Sequence, residues 1–181
     1  MRPSSVDLLA LDYPESVTLR AVLEHLGIRV HLHTPGRPRE IAALLAGDVS
    51  PVAPHLLVSC HGDERGIVLE ELDPGVSAGE PFLGRLTPED IRAHAHLHDR
   101  IVVMTGCGTG GTAFADATIA AGATAFLAPD GDPSDAVFFV EHFYRALQAG
   151  RGIEDAVRFA QEHRDEDALL FRLRMRSRAH D

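Results

Sequence analysis

Short apolar runs alternate with amphipathic stretches along most of this chain. Val6–Leu11 is a strand-like run that ends at Asp12-Tyr13-Pro14. Leu19, Val22, Leu23 and Leu26 then fall on one face of a helix that Gly27 stops. Ile28–Leu32 is a second strand. Its apolar positions alternate with Arg29 and His31, the pattern of a sheet margin. Arg39–Ala46 is a short helix closed by Gly47. Leu56–Cys60 is apolar on both faces, as a central parallel strand must be.

The rhythm then breaks. Gly66–Leu72 and Pro81–Leu86 predict a small hairpin around Asp73-Pro74-Gly75. Thr87-Pro88-Glu89-Asp90 opens a helix, with Thr87 as N-cap. Ile101–Thr105 is the fourth strand, Thr112–Ala121 a small-residue helix, and Ala123–Leu127 the fifth strand. Asp132-Pro133-Ser134-Asp135 starts a helix running to Gly150, and Ile153, Val157 and Ala160 mark another. Ala168–Leu173 is a final edge strand, followed by a basic tail, Arg174–Arg178, to which Arg172 adds a further charge. The pattern predicts a single α/β domain over residues 1–181, with a mostly parallel sheet, helices on both faces and a small hairpin insertion. A strand order near 2-1-3-4-5-6 puts the third strand beside the fourth, with both carboxyl ends on one edge.

Those two strands end in the chain's most distinctive residues. His55–Gly62 (HLLVSCHG) presents His61 and Gly62, and Ile101–Gly111 (IVVMTGCGTGG) presents Cys107 among glycines. The carboxyl edge of an α/β sheet is where ligands and chemistry collect. A nearby helix N-terminus favours thiolate over thiol. Imidazole can take the thiol's proton near neutral pH. The Gly62 and Cys107 amides could donate to an oxyanion. Cys60 precedes His61 on the strand and points to the opposite face, into the core.

Here a resemblance enters. LLVSCHG and IVVMTGC, with His61 and Cys107 46 residues apart, resemble the two motifs of caspase-hemoglobinase cysteine peptidases. The intervening hairpin, the LTPEDI helix start and FFVEHFYRALQAGRGIEDAVRFAQ are similar to the CHAT branch of bacterial caspase-like domains. The resemblance runs from Leu56 to Gln161, and residues 1–50 share only the βαβα rhythm. It implies a three-layer caspase-like (Rossmann-like) fold and a cysteine endopeptidase. His61 would be the base, Cys107 the nucleophile and Gly62 an oxyanion donor. No cofactor is implied. The partners implied are a protein or peptide substrate and an activating protein. One departure is Gly106, where the family commonly has Ala or Ser before the cysteine.

Composition narrows the class. Net charge is −10, with 45% apolar and 24% charged residues. That disfavours a nucleic-acid surface. No apolar stretch is long enough for a membrane span, and two cysteines fit a reducing cytoplasm. Acidity leans to a basic substrate residue, for which Asp12 and Asp130 are the candidate carboxylates. Arg65 or Arg85 would serve an acidic one. A rival pattern is G-x-G-x-x-G at Gly106, Gly108 and Gly111, with Asp130 19 residues on, as in a dinucleotide-binding module. An inactive caspase-like scaffold is a third reading. His94, His96 and His98 lie near a helix end, where a spacing of two does not converge on one metal ion, and they and the pair His31 and His33, on one face of a strand, read as solvent-facing histidines.

Overall fold

The computed structural model describes residues 2–63, 65–163 and 166–177. Its centre is a six-stranded sheet of order β2-β1-β3-β7-β8-β9. The strands are β1 (Ser5–Ala10), β2 (Arg29–His33), β3 (His55–Ser59), β7 (Ile101–Met104), β8 (Ala125–Pro129) and β9 (Phe171–Met175). All pairings are parallel except β8 with β9. The order matches the expected one, and the polar-alternating β2 does lie at an edge.

The alternation of each central strand feeds two cores. Val6, Leu8, Leu57, Val103 and Leu127 face α1 (Tyr13–His25), α6 (Ala136–Gln148) and α7 (Ile153–Glu162). Leu9, Leu56, Val58, Val102 and Phe126 face α2 (Pro38–Ala46), α4 (Pro88–His94) and α5 (Thr112–Ala120). Both faces of β3, β7 and β8 are therefore buried, which is why these strands read as unbroken apolar runs. The Phe139 and Phe171 rings stack at 3.8 Å and tie α6 to β9.

Local chemistry fixes the helix ends. Asp12 caps α1, accepting from the Glu15 N–H, and Thr87 and Asp90 form a reciprocal capping box on α4. The hairpin insertion is a three-stranded antiparallel sheet: β4 (Gly62–Asp63), β5 (Gly66–Val68) and β6 (Arg85–Leu86). Its strands are shorter than expected, and the Asp73-Pro74-Gly75 segment leads into a one-turn helix, α3 (Pro74–Ser77), instead of a tight turn.

Two boundaries differ for clear reasons. The helix expected to start at Asp132 is capped by Asp135, whose side chain accepts from the Phe138 N–H. The last strand begins at Phe171, because residues Glu166–Leu170 form a 3-10 turn whose Leu170 carbonyl accepts from the Asp130 N–H at 2.9 Å. Of the basic tail, Arg178 lies outside the described residues. Arg172, Arg174 and Arg176 pair with Asp130, Asp116 and Asp99. No helix among the described residues is long and apolar enough to cross a membrane.

Candidate active site

The sheet reverses its winding between β1 and β3, and the crevice at their carboxyl ends is where such sheets bind ligands. Leu11 and Asp12 follow β1, and Cys60 and His61 follow β3. The turn after β7 carries Thr105, Gly106 and Cys107. His61 and Cys107 line one cleft of about 420 Å³ at this edge, together with Asp12 and Glu15. His61 and Asp12 also line a more apolar cleft of about 550 Å³ toward α2. Cys107 also lines one of about 750 Å³ on the far side, with Gly62, Asp130 and Asp132. The shared walls join the three into a groove along the sheet edge.

His61 Nε2 lies 3.1 Å from Asp12 Oδ2. The ring is largely exposed while Asp12 is sheltered. Asp12 thus differs from the free substrate-pocket carboxylate expected. One oxygen caps α1 and the other faces the imidazole. Asp-x-x-Glu around Pro14 is a cap-like pattern that the sequence displays, so this position was legible.

Glu15 is a site residue that sequence reasoning missed. Its Oε1 accepts from Ser59 Oγ and Thr105 Oγ1, each at 2.6 Å. It therefore ties the ends of β3 and β7 together beneath the cleft.

Gly62 lines the cleft on the far side together with Cys107. The Val68 N–H donates to the His61 carbonyl at 2.9 Å, and Gly62 stands opposite Ile67 in the same register. Hydrogen-bonded and non-hydrogen-bonded pairs alternate along an antiparallel ladder, so the Gly62 N–H turns away from β5. A side chain there would meet Thr109 Cγ2 at 3.0 Å and the Cys107 carbonyl at 3.1 Å. Glycine lets the two motifs touch.

Gly106 has a comparable reason. A Cβ on it would meet Cys60 Sγ at 2.8 Å. The Cys60 thiol fills the space that Ala or Ser would take, which accounts for the departure noted above. Cys60 is buried and unpaired, and burial pushes its thiol up to about 12.

Cys107 is half-buried, and its Sγ donates to Asp132 Oδ1 at 2.8 Å. Burial, then the hydrogen bond and charge of Asp132, push the thiol up to about 11. The expected shift toward thiolate is thus reversed. The α5 N-terminus begins at Thr112, beyond the turn, so it does not govern the sulfur. Among the described residues no hydrogen bond joins His61 to Cys107. Asp132 was missed because Asp-Pro resembles a helix start.

Asp130 is exposed on the wall beside Cys107 and reaches Arg172 at 3.9 Å. The alternative Arg85 is engaged by Asp63 at 2.7 Å, and Asp63 also accepts from the Arg65 N–H. The glycine-rich turn does not make a phosphate cradle. Gly108 and Gly110 donate to Gly131 and Pro129 carbonyls at 2.7 Å. The adjoining cleft carries Asp63, Asp130 and Asp132, and like charges oppose a pyrophosphate there. His31 and His33 both approach Asp7, and His96 stacks on His98. No cluster that could hold a metal occurs among the described residues.

No family model matches this chain, and no curated protein matches it. Among solved structures it is similar to a red-light-signalling response regulator of R. palustris. That likeness has a TM-score of 0.43 and 12% identity, over 79% of this chain and 90% of that one. It is also similar to the sugar isomerase domain of an RpiR transcription factor from Sphaerobacter thermophilus, with a TM-score of 0.38 and 17% identity. There 90% of this chain and 79% of the other are covered. A putative short-chain alcohol dehydrogenase from Burkholderia multivorans aligns at a TM-score of 0.34 and 14% identity, over 67% and 73% of the chains. Likenesses this distant carry no argument about activity.

Proposed function

We propose that this chain is a cysteine endopeptidase of the caspase-like, CHAT type. The observation that carries the reading is that His61 and Cys107, from two separate strand ends, line one cleft at the sheet's carboxyl edge. In the proposed reaction the Cys107 sulfur attacks the scissile carbonyl and its proton passes to His61. The Gly62 N–H donates to the oxyanion. Asp12 orients the imidazole and steadies its charged form, as the third group of a nucleophile–base system does. His61 then returns the proton to the leaving amine. A thioester remains, and water cleaves it with His61 again as base.

Asp130, beside the nucleophile, favours an arginine or lysine in the substrate. The substrate is a protein or peptide met in a reducing compartment such as the cytoplasm, and activation involves a partner protein. A catalytically silent scaffold is the second reading, and the Cys107–Asp132 bond is the observation behind it.

Covalent capture separates the two. An arginyl peptide ketone incubated with the protein at pH 7.5 should add to Cys107 and leave the buried Cys60 unmodified. His61→Ala should slow capture at least tenfold. Capture of Cys107 at equal rates in both proteins would overturn the peptidase reading.

A further inference from the structure

The loop between β8 and α6 is fixed from two sides. Its Gly131 carbonyl accepts from the Gly108 N–H at 2.7 Å, directly after the nucleophile. Its Asp130 N–H donates to the Leu170 carbonyl at 2.9 Å, and a Cβ on Gly131 would lie 3.1 Å from a Leu170 methyl. Held between the Cys107 turn and the C-terminal segment, the loop presents Asp132 to the sulfur at 2.8 Å.

We infer that Asp132 is an autoinhibitory latch: its carboxylate holds the Cys107 proton on sulfur and keeps the thiol from handing it to His61. This rests on the reading of Cys107 as a peptidase nucleophile. The physical reason is charge. A thiol donating to a carboxylate is favoured, whereas a thiolate beside the same carboxylate faces like charge. The other titratable groups around the sulfur do not offset this. Glu15 adds negative charge, Cys60 is neutral, and His61 is engaged by Asp12. The latch opens when the 130–135 loop moves or the Asp132 charge is lost. The proton then passes from Sγ to the imidazole, leaving a thiolate–imidazolium pair with no net change in charge. Because the loop leans on Leu170, anything that shifts the C-terminal segment acts on the nucleophile.

The test is the rate at which iodoacetamide alkylates Cys107 at pH 7.5, followed by peptide mass mapping on full-length protein. Asp132→Asn and Asp132→Ser should each react at least tenfold faster than wild type. Asp63→Asn, which removes a neighbouring charge from the same cleft, should stay within twofold. The exposed position of Asp132 makes both substitutions compatible with folding, and an unchanged thermal midpoint checks it. Rates within twofold of wild type in both Asp132 variants would overturn the latch. Adding His61→Ala to Asp132→Asn separates the two claims. Lost acceleration supports latch and dyad together. Retained acceleration supports the latch and overturns the pairing of Cys107 with His61.

Discussion

The two ends of the sheet hold similar residues in opposite circumstances. At the amino end Asp7, Arg100 and His55 are almost fully buried. Asp7 meets His31 Nδ1 at 3.0 Å, His33 Nε2 at 3.3 Å and the Ala53 N–H at 3.0 Å, and the Arg100 guanidinium donates to it as well. Burial alone would raise the Asp7 carboxyl, but these partners outweigh it and hold it down to about 2. At the carboxyl end His61–Asp12 and Cys107–Asp132 open onto clefts, and each pair has a partner it could exchange. The contrast teaches that acid–histidine contacts alone do not mark a site. What distinguishes the carboxyl edge is solvent access, glycine at the points of closest approach, and a thiol among the groups.

The largest expected effect is at the amino end. Asp7→Ala leaves the Arg100 charge buried without its partner and should cost about 3–5 kcal/mol. Asp132→Ala, at the surface, should cost under about 1 kcal/mol. Denaturant midpoints of the two variants decide it, and equal losses would break the comparison.

The next effect is pH dependence. Burial, then the Arg100 charge, lowers His55 to about 4 from its ordinary 6.5. The native state therefore holds His55 neutral where the unfolded chain is protonated. Stability falls as pH drops from 6.5 toward 4, by about 3 kcal/mol at 1.36 kcal/mol per unit. The Asp7 contribution is present above its ordinary 3.8 and is lost as pH falls through about 2. Unfolding free energies between pH 7 and 4 should show a slope in wild type that His55→Leu flattens.

Within the carboxyl edge, Gly106→Ala drives a methyl into Cys60 Sγ and should cost about 1–3 kcal/mol. Adding Cys60→Ala should recover at least half of that in a thermal or denaturant melt. No recovery would mean that the glycine serves the turn and not the thiol behind it. The smallest effect is at Asp12→Asn. The amide retains the cap, so stability should change by less than about 0.5 kcal/mol. Loss of the charge beside His61 should slow capture of Cys107 by a peptidyl ketone about tenfold.

Much of this architecture was legible because the strands at the centre bury both faces and those at the margin do not. Leu56–Val58 and Ile101–Met104 announced themselves as neighbours, and with them the convergence of His61 and Cys107. The glycines at 62 and 106 were visible, but their reasons were not. One faces the Cys107 carbonyl and the other faces Cys60, contacts that periodicity does not encode. Asp132 was hidden for the same kind of reason. Asp132-Pro133 and Asp135 are both good helix starts, and in the structure Asp135 caps the helix while Asp132 turns to the Cys107 sulfur. The state of the thiol followed from that choice, so sequence reasoning got its direction wrong.

The central claim is that Cys107 cleaves peptide bonds with His61. The most direct measurement counts new amino termini that wild type and Asp132→Asn generate in a proteome-derived peptide library, each with and without Cys107→Ala. The account predicts cleavage after basic residues, greater with Asp132→Asn, and absent from both proteins once Cys107 is replaced. A library left uncut by both proteins, or cut equally with and without Cys107, would contradict it.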